Sequence, residues 1–255
     1  MKLEQSLTSS DELLCNRSGD VLHLTLNRPE RSNALSATLV EALIAGFETA
    51  VESGARLVTL RGSGAHFCAG LDLSNLANLN DEVLTYRLIR IETLLQLIAY
   101  APHLTLVHAH GKTVGAGVDM VAAASHRVVA HETVMWMPGW QFDLALGTHR
   151  LLRRVGQSVA LDYLIDGRRI SAEQALQAGL VTEIAPLETF GEISAGFLKR
   201  ALKMNPQAFK SLVTILGQGM PDQDMALLVR SVSKPGVKER IQAYIAQSSG
   251  AQKIE

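Results

Sequence analysis

Two short segments hold residue types and spacings that could do chemistry. They are Ala69-Gly70-Leu71-Asp72 and, about forty-five residues later, Gly115-Ala116-Gly117-Val118-Asp119. Each is a turn of small residues placed after a β-like run and before a stretch of helical pattern. Such a turn leaves backbone N–H groups without intrachain acceptors. Two of these donors converging on one point would hold a carbonyl oxygen as it becomes negative, which is an oxyanion hole. Asp119 stands three residues past Ala116 on the same helical start. A carboxylate beside such a hole suits acyl or enolate chemistry.

The elements that must position these turns can be read from periodicity. Asp11–Arg17 and Val21–Asn27 flank Gly19-Asp20 and predict a β-hairpin. Ser36 offers an N-cap for a helix whose apolar side is Leu39, Leu43, Phe47 and Val51, with Gly54 closing it. Leu57–Arg61 reads as a buried strand leading into the first turn. A longer helix is predicted over Asp81–Tyr100, with Leu84, Leu88, Ile91, Leu95 and Ile98 on its buried stripe, ended by Pro102. Leu104–Ala109 is the next strand, and the second turn opens a helix through Ala124. Arg127–Ala130 and Val134–Met137 are strand-like. Repetition of strand, turn and helix with parallel-type crossovers predicts an α/β fold.

From about Leu146 the pattern is helix after helix. Ser171-Ala172-Glu173-Gln174 fits a capping box, Gly179 a helix stop, and only Leu180–Ile184 interrupts as a strand. Pro186 onward is helical in pattern, punctuated by Pro206, Pro221 and Pro235. Two regions are expected, a core over 1–185 and a helical region over 186–255.

Bulk properties narrow the class. Of 255 residues, 47% are hydrophobic and 19% charged, enough for a sizeable core and against disorder. A net charge of −1, from 24 basic and 25 acidic side chains, lacks the basic surplus of a nucleic-acid binder. Cys15 and Cys68 are too few for a disulfide framework or a zinc site, so a reducing, cytoplasmic setting is expected. The Met1–Glu12 segment is polar, unlike a secretory signal, and no run reaches the ~18 apolar residues of a membrane span. A soluble protein is expected, with neither nucleic acid nor membrane as partner.

Four motifs now carry a family likeness. Leu26-Asn27-Arg28-Pro29 with Asn33-Ala34-Leu35 comes first, followed by Phe67-Cys68-Ala69-Gly70-Leu71-Asp72-Leu73. Gly111–Asp119 is third, and Gly167-Arg168-Arg169-Ile170-Ser171-Ala172 with Ala178-Gly179-Leu180-Val181 is fourth. In order and spacing these resemble the crotonase superfamily, the enoyl-CoA hydratase/isomerase family, over approximately Val21–Ile184. The resemblance implies a spiral of ββα turns, a helical C-terminal region used for oligomerisation into trimers or dimers of trimers, and an acyl-CoA substrate. Coenzyme A would enter as part of that substrate, with no further cofactor and no metal. It also implies that the oxyanion donors are the N–H groups of Leu71 and Ala116. Ala116 stands where the family usually has glycine, which matters only if that position needs φ > 0.

The resemblance further implies where the ligand is held. Arg28 and Arg31 flank the loop that contacts coenzyme A, beside Ala34. Ala69, Leu71, Asp72 and Leu73 on one turn, and Gly115 and Ala116 on the other, would border the thioester, with Trp140 against the acyl group. Family hydratases carry two glutamates. Asp119 takes the first position, one methylene shorter, and Gly139, after Pro138, occupies the second. Water addition conventionally shares its acid and base between that pair, so one carboxylate favours isomerisation, with hydration possible if Asp143 or an ordered water supplies the second function. A hydrolase, decarboxylase or dehalogenase using the same hole, or a non-catalytic acyl-CoA binder, are the competing expectations.

Several residues admit plainer roles. Asp119 could be a helix-start carboxylate favoured by the helix dipole, Asp72 a helix cap, and Asp143 a surface-turn residue. The strand histidines His23, His108, His110, His126 and His131 read as structural, and His66 and His149 fall nearer the expected site. Trp136 and Trp140 could line an acyl pocket or simply pack. Arg87 and Arg90 lie off the buried stripe of their helix.

Overall fold

A computed structural model describes residues 10–217 and 219–251; residues 1–9 of the polar N-terminal segment lie outside them. Strands β1 (Leu13–Ser18) and β2 (Val21–Leu26) form the expected antiparallel hairpin. Strands β3 (Leu57–Gly62), β4 (Leu104–Ala109), β6 (His126–Val129) and β9 (Glu183–Ile184) add to β2 in parallel, in the order β1-β2-β3-β4-β6-β9. Leu57, Val58, Thr59 and Leu60 are all buried. A parallel strand covered on both faces reads as an unbroken apolar run rather than an alternation. A second sheet joins β5 (Lys112–Val114), β7 (Val134–Trp136) and β8 (Ile170–Ser171).

Helix α1 (Ala37–Glu52) starts on Ser36, whose side chain accepts the Leu39 N–H. Leu39, Leu43 and Phe47 are buried, whereas Val51 is 47% exposed and Val40, Ile44 and Ala50 are buried instead. A strict i, i+4 row drifts off one face of a helix with 3.6 residues per turn, which is why the last member leaves the core. Helix α2 (Asp81–Ala99) buries the five residues expected and Glu92 as well. Helix α3 (Ala116–Ala123) is buried on every side. Helix α4 (Thr148–Ile165) is kinked at Gly156, and α5 (Ala172–Ala178) begins on the full Ser171/Gln174 capping box and stops at Gly179, φ 81°.

The strand expected over Leu180–Ile184 is confined to β9. The Leu180 and Val181 N–H groups both donate to the Ala175 carbonyl as the chain leaves α5, so they cannot join a ladder. Beyond it, α6 (Phe190–Ala201) sets Phe190 against Val21, Leu57 and Leu106. Helices α7 (Pro206–Leu216) and α8 (Pro221–Val232) each open with proline at the first helical turn, where its missing N–H costs nothing. Helices α8 and α9 (Val237–Ala251) return to α2, packing Leu228, Val232, Val237 and Ile241 against Leu84 and Leu88. No helix among the described residues is long and apolar enough to cross a membrane.

Candidate active site

The two glycine turns lie side by side because the chain is stitched between them. Cys68 and Thr113 form a parallel bridge, and the Val114 N–H donates to the Cys68 carbonyl at 2.9 Å. Gly117 has room for nothing larger: a β-carbon there would meet the Cys68 carbonyl at 2.6 Å. Gly70, at φ 80°, faces the second turn, with the Val114 carbonyl 2.8 Å and the Ala116 nitrogen 3.5 Å from where its β-carbon would stand. Gly115 takes φ 50° and ψ −118°, a backbone state open to glycine. Ala116 is not among the residues at positive φ, so its methyl group costs the turn nothing.

Backbone pairing around the first turn uses every neighbour of one amide. Gly70 accepts from the Leu35 N–H at 2.7 Å, and the Asp72 N–H donates to Leu35 at 3.2 Å. The Leu71 N–H between them has no acceptor among the described residues, and neither does the Ala116 N–H at the start of α3. Leu71 and Ala116 both line one cavity of about 400 Å³. Its apolar walls include Leu88, Ile91, Phe142, Leu144, Leu146 and Ile241. Ala69, Leu73, Gly115 and both tryptophans, Trp136 and Trp140, also line it; the Trp140 Nε1–H donates to the Thr148 hydroxyl at 3.1 Å.

Asp119 lines the same cavity, only 4% exposed, with no hydrogen-bond donor to its carboxylate among the described residues. Burial pushes its carboxyl well above the ordinary range; the Arg150 charge opposes this and the Glu92 charge adds to it. Arg150 and Glu92 form a buried pair through both guanidinium nitrogens, extended by Asp224 to His149 at 2.8 Å and Tyr100 at 3.0 Å. Burial works against the Arg150 charge, but Glu92, Asp224 and Asp119 outweigh it and hold it firmly protonated. Gly147, φ 65°, precedes α4 and lies on the Asp119 carboxylate so closely that a β-carbon there would overlap Oδ1.

Other residues singled out in the sequence are placed elsewhere. Asp143 sits at φ 59° on the far side of the 139–142 turn, ion-paired to Lys234 at 2.6 Å, and does not line the cavity. Gly139 does line it, but a β-carbon there would stand 3.0 Å from the Leu144 carbonyl. Arg28 is committed within the protein, to Glu12 at 3.0 Å, Asp72 at 2.9 Å and the Ala34 carbonyl at 2.6 Å. Arg31 is exposed and Ala34 buried; neither they nor Arg28 and Asp72 line the cavity.

Asp72 fixes its own loop by accepting the Ser74 N–H at 2.9 Å, rather than capping a helix. Burial raises its carboxyl, yet Ser74 and Arg28 outweigh that and hold it below the ordinary range. Arg87 bonds the Leu35 and Asp72 carbonyls and Arg90 pairs with Glu41. His66 accepts the Lys112 N–H, and His108 and His110 bond backbone carbonyls. Burial pushes the Cys68 thiol up to about 12, which removes it as a nucleophile. Among the described residues no three His, Cys, Asp or Glu side chains gather to hold a metal.

The cavity also draws on Lys112, Arg169, Ile241 and Tyr244, which the sequence did not mark as site residues. Lys112 comes from β5, Arg169 is delivered by the pairing of β7 with β8, and Ile241 and Tyr244 by α9 folding back. Neither contact leaves a local pattern.

Comparison with known proteins places the chain in a family. A family model described as enoyl-CoA hydratase/isomerase matches residues 16–234. The chain is 32% identical to the 2,3-dehydroadipyl-CoA hydratase of Escherichia coli over 226 residues, covering 85% of this chain and 84% of that protein. It is 26% identical to the enoyl-CoA isomerase/hydratase fer4 of Mycosarcoma maydis, covering 78% and 77%. A crystal structure of a putative enoyl-CoA hydratase/isomerase from Bordetella parapertussis superposes with a TM-score of 0.91 at 38% identity, covering 92% of this chain and 98% of that one. The chain belongs to the enoyl-CoA hydratase/isomerase family of the crotonase superfamily.

Proposed function

We propose that the protein acts on an acyl-CoA thioester, stabilising its enolate between the Leu71 and Ala116 N–H groups, with Asp119 as the sole proton carrier. For a 3-enoyl-CoA, Asp119 removes a proton from the α-carbon as the thioester oxygen gains negative charge at the two amides. The same carboxyl returns the proton to the γ-carbon, and the double bond moves to the 2-position. One base suffices because the proton leaves and rejoins the same face. The observation that carries this reading is Asp119, the one carboxylate among the described residues that lines the cavity, with Gly139 where a second family glutamate would stand.

Hydration is the second reading, favoured by the name of the Escherichia coli relative. It would need an ordered water to replace the missing side chain. Mass analysis of products from matched 2-enoyl- and 3-enoyl-CoA substrates separates the two. The expected main product from the 3-enoyl-CoA is an isomer of unchanged mass. Gain of one water as the dominant reaction moves the assignment to hydration; free CoA, CO₂ or halide moves it to cleavage; binding without turnover leaves a non-catalytic binder.

Gly147 bears on the same step. We expect Gly147→Ala to displace the Asp119 carboxylate and lower kcat by up to about 10²-fold, the scale of a misplaced catalytic group. Steady-state kinetics beside a melting curve checks this; a folded variant with wild-type kcat rejects a strict requirement on carboxylate position.

The proposed chemistry uses no cofactor beyond the coenzyme A of the substrate. We also propose assembly as a trimer or dimer of trimers. Leu212, Ile215 and Leu216 on α7, with Leu202 and Met220 beside it, form an exposed apolar run that assembly would cover. The two free cysteines suit a cytoplasmic setting.

A further inference from the structure

Beyond Asp119, the charged side chains among the described residues that line the cavity are Lys112 and Arg169. Both belong to one wall. In the three-stranded sheet, Val114 pairs with Trp136 and Met135 with Ile170, so Arg169 follows beside Trp136 one step along the antiparallel register. The Arg169 guanidinium lies over the Trp136 indole, 5.2 Å from its centroid. No carboxylate or carbonyl among the described residues accepts from it. Its neighbour Arg168, by contrast, is paired to Asp162 at 2.5 Å. A guanidinium stacked on an aromatic face keeps its N–H edge free for a bidentate anion. The cavity therefore holds an unspent, pre-positioned cation with a lysine on the same wall.

The position selects among anions. The Trp136 carbonyl accepts the Gly115 N–H at 2.9 Å, next to the proposed thioester site. Adjacent strands lie ~4.8 Å apart, so the Arg169 backbone is roughly 10 Å from the Val114–Ala116 turn. A short acyl chain spans that; the phosphates of coenzyme A lie beyond the whole pantetheine arm. We propose that Arg169, supported by Lys112, binds a carboxylate at the far end of the acyl group. The preferred substrates are then acyl-CoAs with a terminal carboxylate rather than simple fatty acyl-CoAs. This rests on the acyl-CoA reading of the cavity but not on turnover.

Calorimetry with the full-length protein tests it, using saturated, unreactive acyl-CoAs of matched length ending in carboxylate or methyl, with free CoA as a third ligand. Wild type should bind the carboxylate form at least about tenfold more tightly, near the 1.4 kcal/mol that a factor of ten represents. Arg169→Met should bring the ratio of the two dissociation constants to within about twofold of unity, and Lys112→Gln should reduce it partly. A wild-type ratio near unity, or a ratio unchanged by Arg169→Met, overturns the proposal. An equal loss for both acyl forms and for free CoA also overturns it, assigning Arg169 to the CoA phosphates. Failure of all three to bind wild type rejects the acyl-CoA reading itself.

Discussion

Asp119→Asn should lower kcat by about 10²–10⁴-fold, the usual range for a lost general acid–base group, and at the same time make the protein more resistant to heat. The first effect follows because, among the described residues, no other carboxylate lines the cavity to take over the proton. The second follows from the direction of the pKa shift. Burial raises the Asp119 carboxyl above its unfolded value, so the folded state favours the neutral acid. Its contribution to stability is full below the unfolded pKa, near 3.9, and is lost as pH rises through the folded pKa. Asparagine escapes that loss. A buried polar group left unsatisfied costs on the order of 1–3 kcal/mol, and a charged one at least that, so the variant should melt roughly 2–10 °C higher at alkaline pH. Below pH 4 the two proteins should melt together.

The kinetic counterpart uses the same shift. The ionised carboxylate is the base, so kcat/KM in wild type should rise with pH through the raised pKa and then level. Kinetics and melting curves across pH check both. A variant that is inactive yet less stable at high pH would show that Asp119 is held by a compensating charge, with Arg150 the candidate. A variant of undiminished activity would remove Asp119 from the mechanism.

Part of the candidate site is legible in the sequence on backbone grounds. The turns could be read because their backbone states require particular residues: Gly70 at φ 80° and Gly115 at φ 50° leave little alternative. Asp119 could be read because one helical turn from a fixed start places it. Arg28 and Asp143 could not, because their side chains are claimed by Asp72 and Lys234, 44 and 91 residues away in sequence. A sequence window contains no sign of a partner at that distance. Arg169, Ile241 and Tyr244 escaped notice for the converse reason: strand pairing and the return of α9 bring them in. Val51 and Leu180–Val181 were misread on local grounds, a drifting helical row in one case and donors taken by a helix end in the other.

Gly70→Ala is the sharper test of the oxyanion hole, since neither proposed donor is a side chain that can be removed. The added methyl group meets two obstacles. At φ 80° a side chain is strained by about 1–3 kcal/mol, and the β-carbon would approach the Val114 carbonyl to 2.8 Å. Relief requires the two turns to move apart, which separates the Leu71 and Ala116 amides. Loss of one such donor costs about 10²–10³ in kcat in other enzymes, and a comparable fall is expected here. Binding of a saturated acyl-CoA should weaken far less, because apolar walls such as Leu88, Ile91 and Leu146 are untouched and the thioester carries little charge until the enolate forms. A fall in kcat with near-normal ligand affinity and a modest drop in Tm is the expected signature. If a folded Gly70→Ala protein keeps kcat within about threefold of wild type, the spacing of the two amides is not what stabilises the enolate. Asp119 would then have to act against a thioester oxygen held some other way, with Lys112, two residues before Val114 on β5, the cavity-lining cation nearest to that turn in sequence.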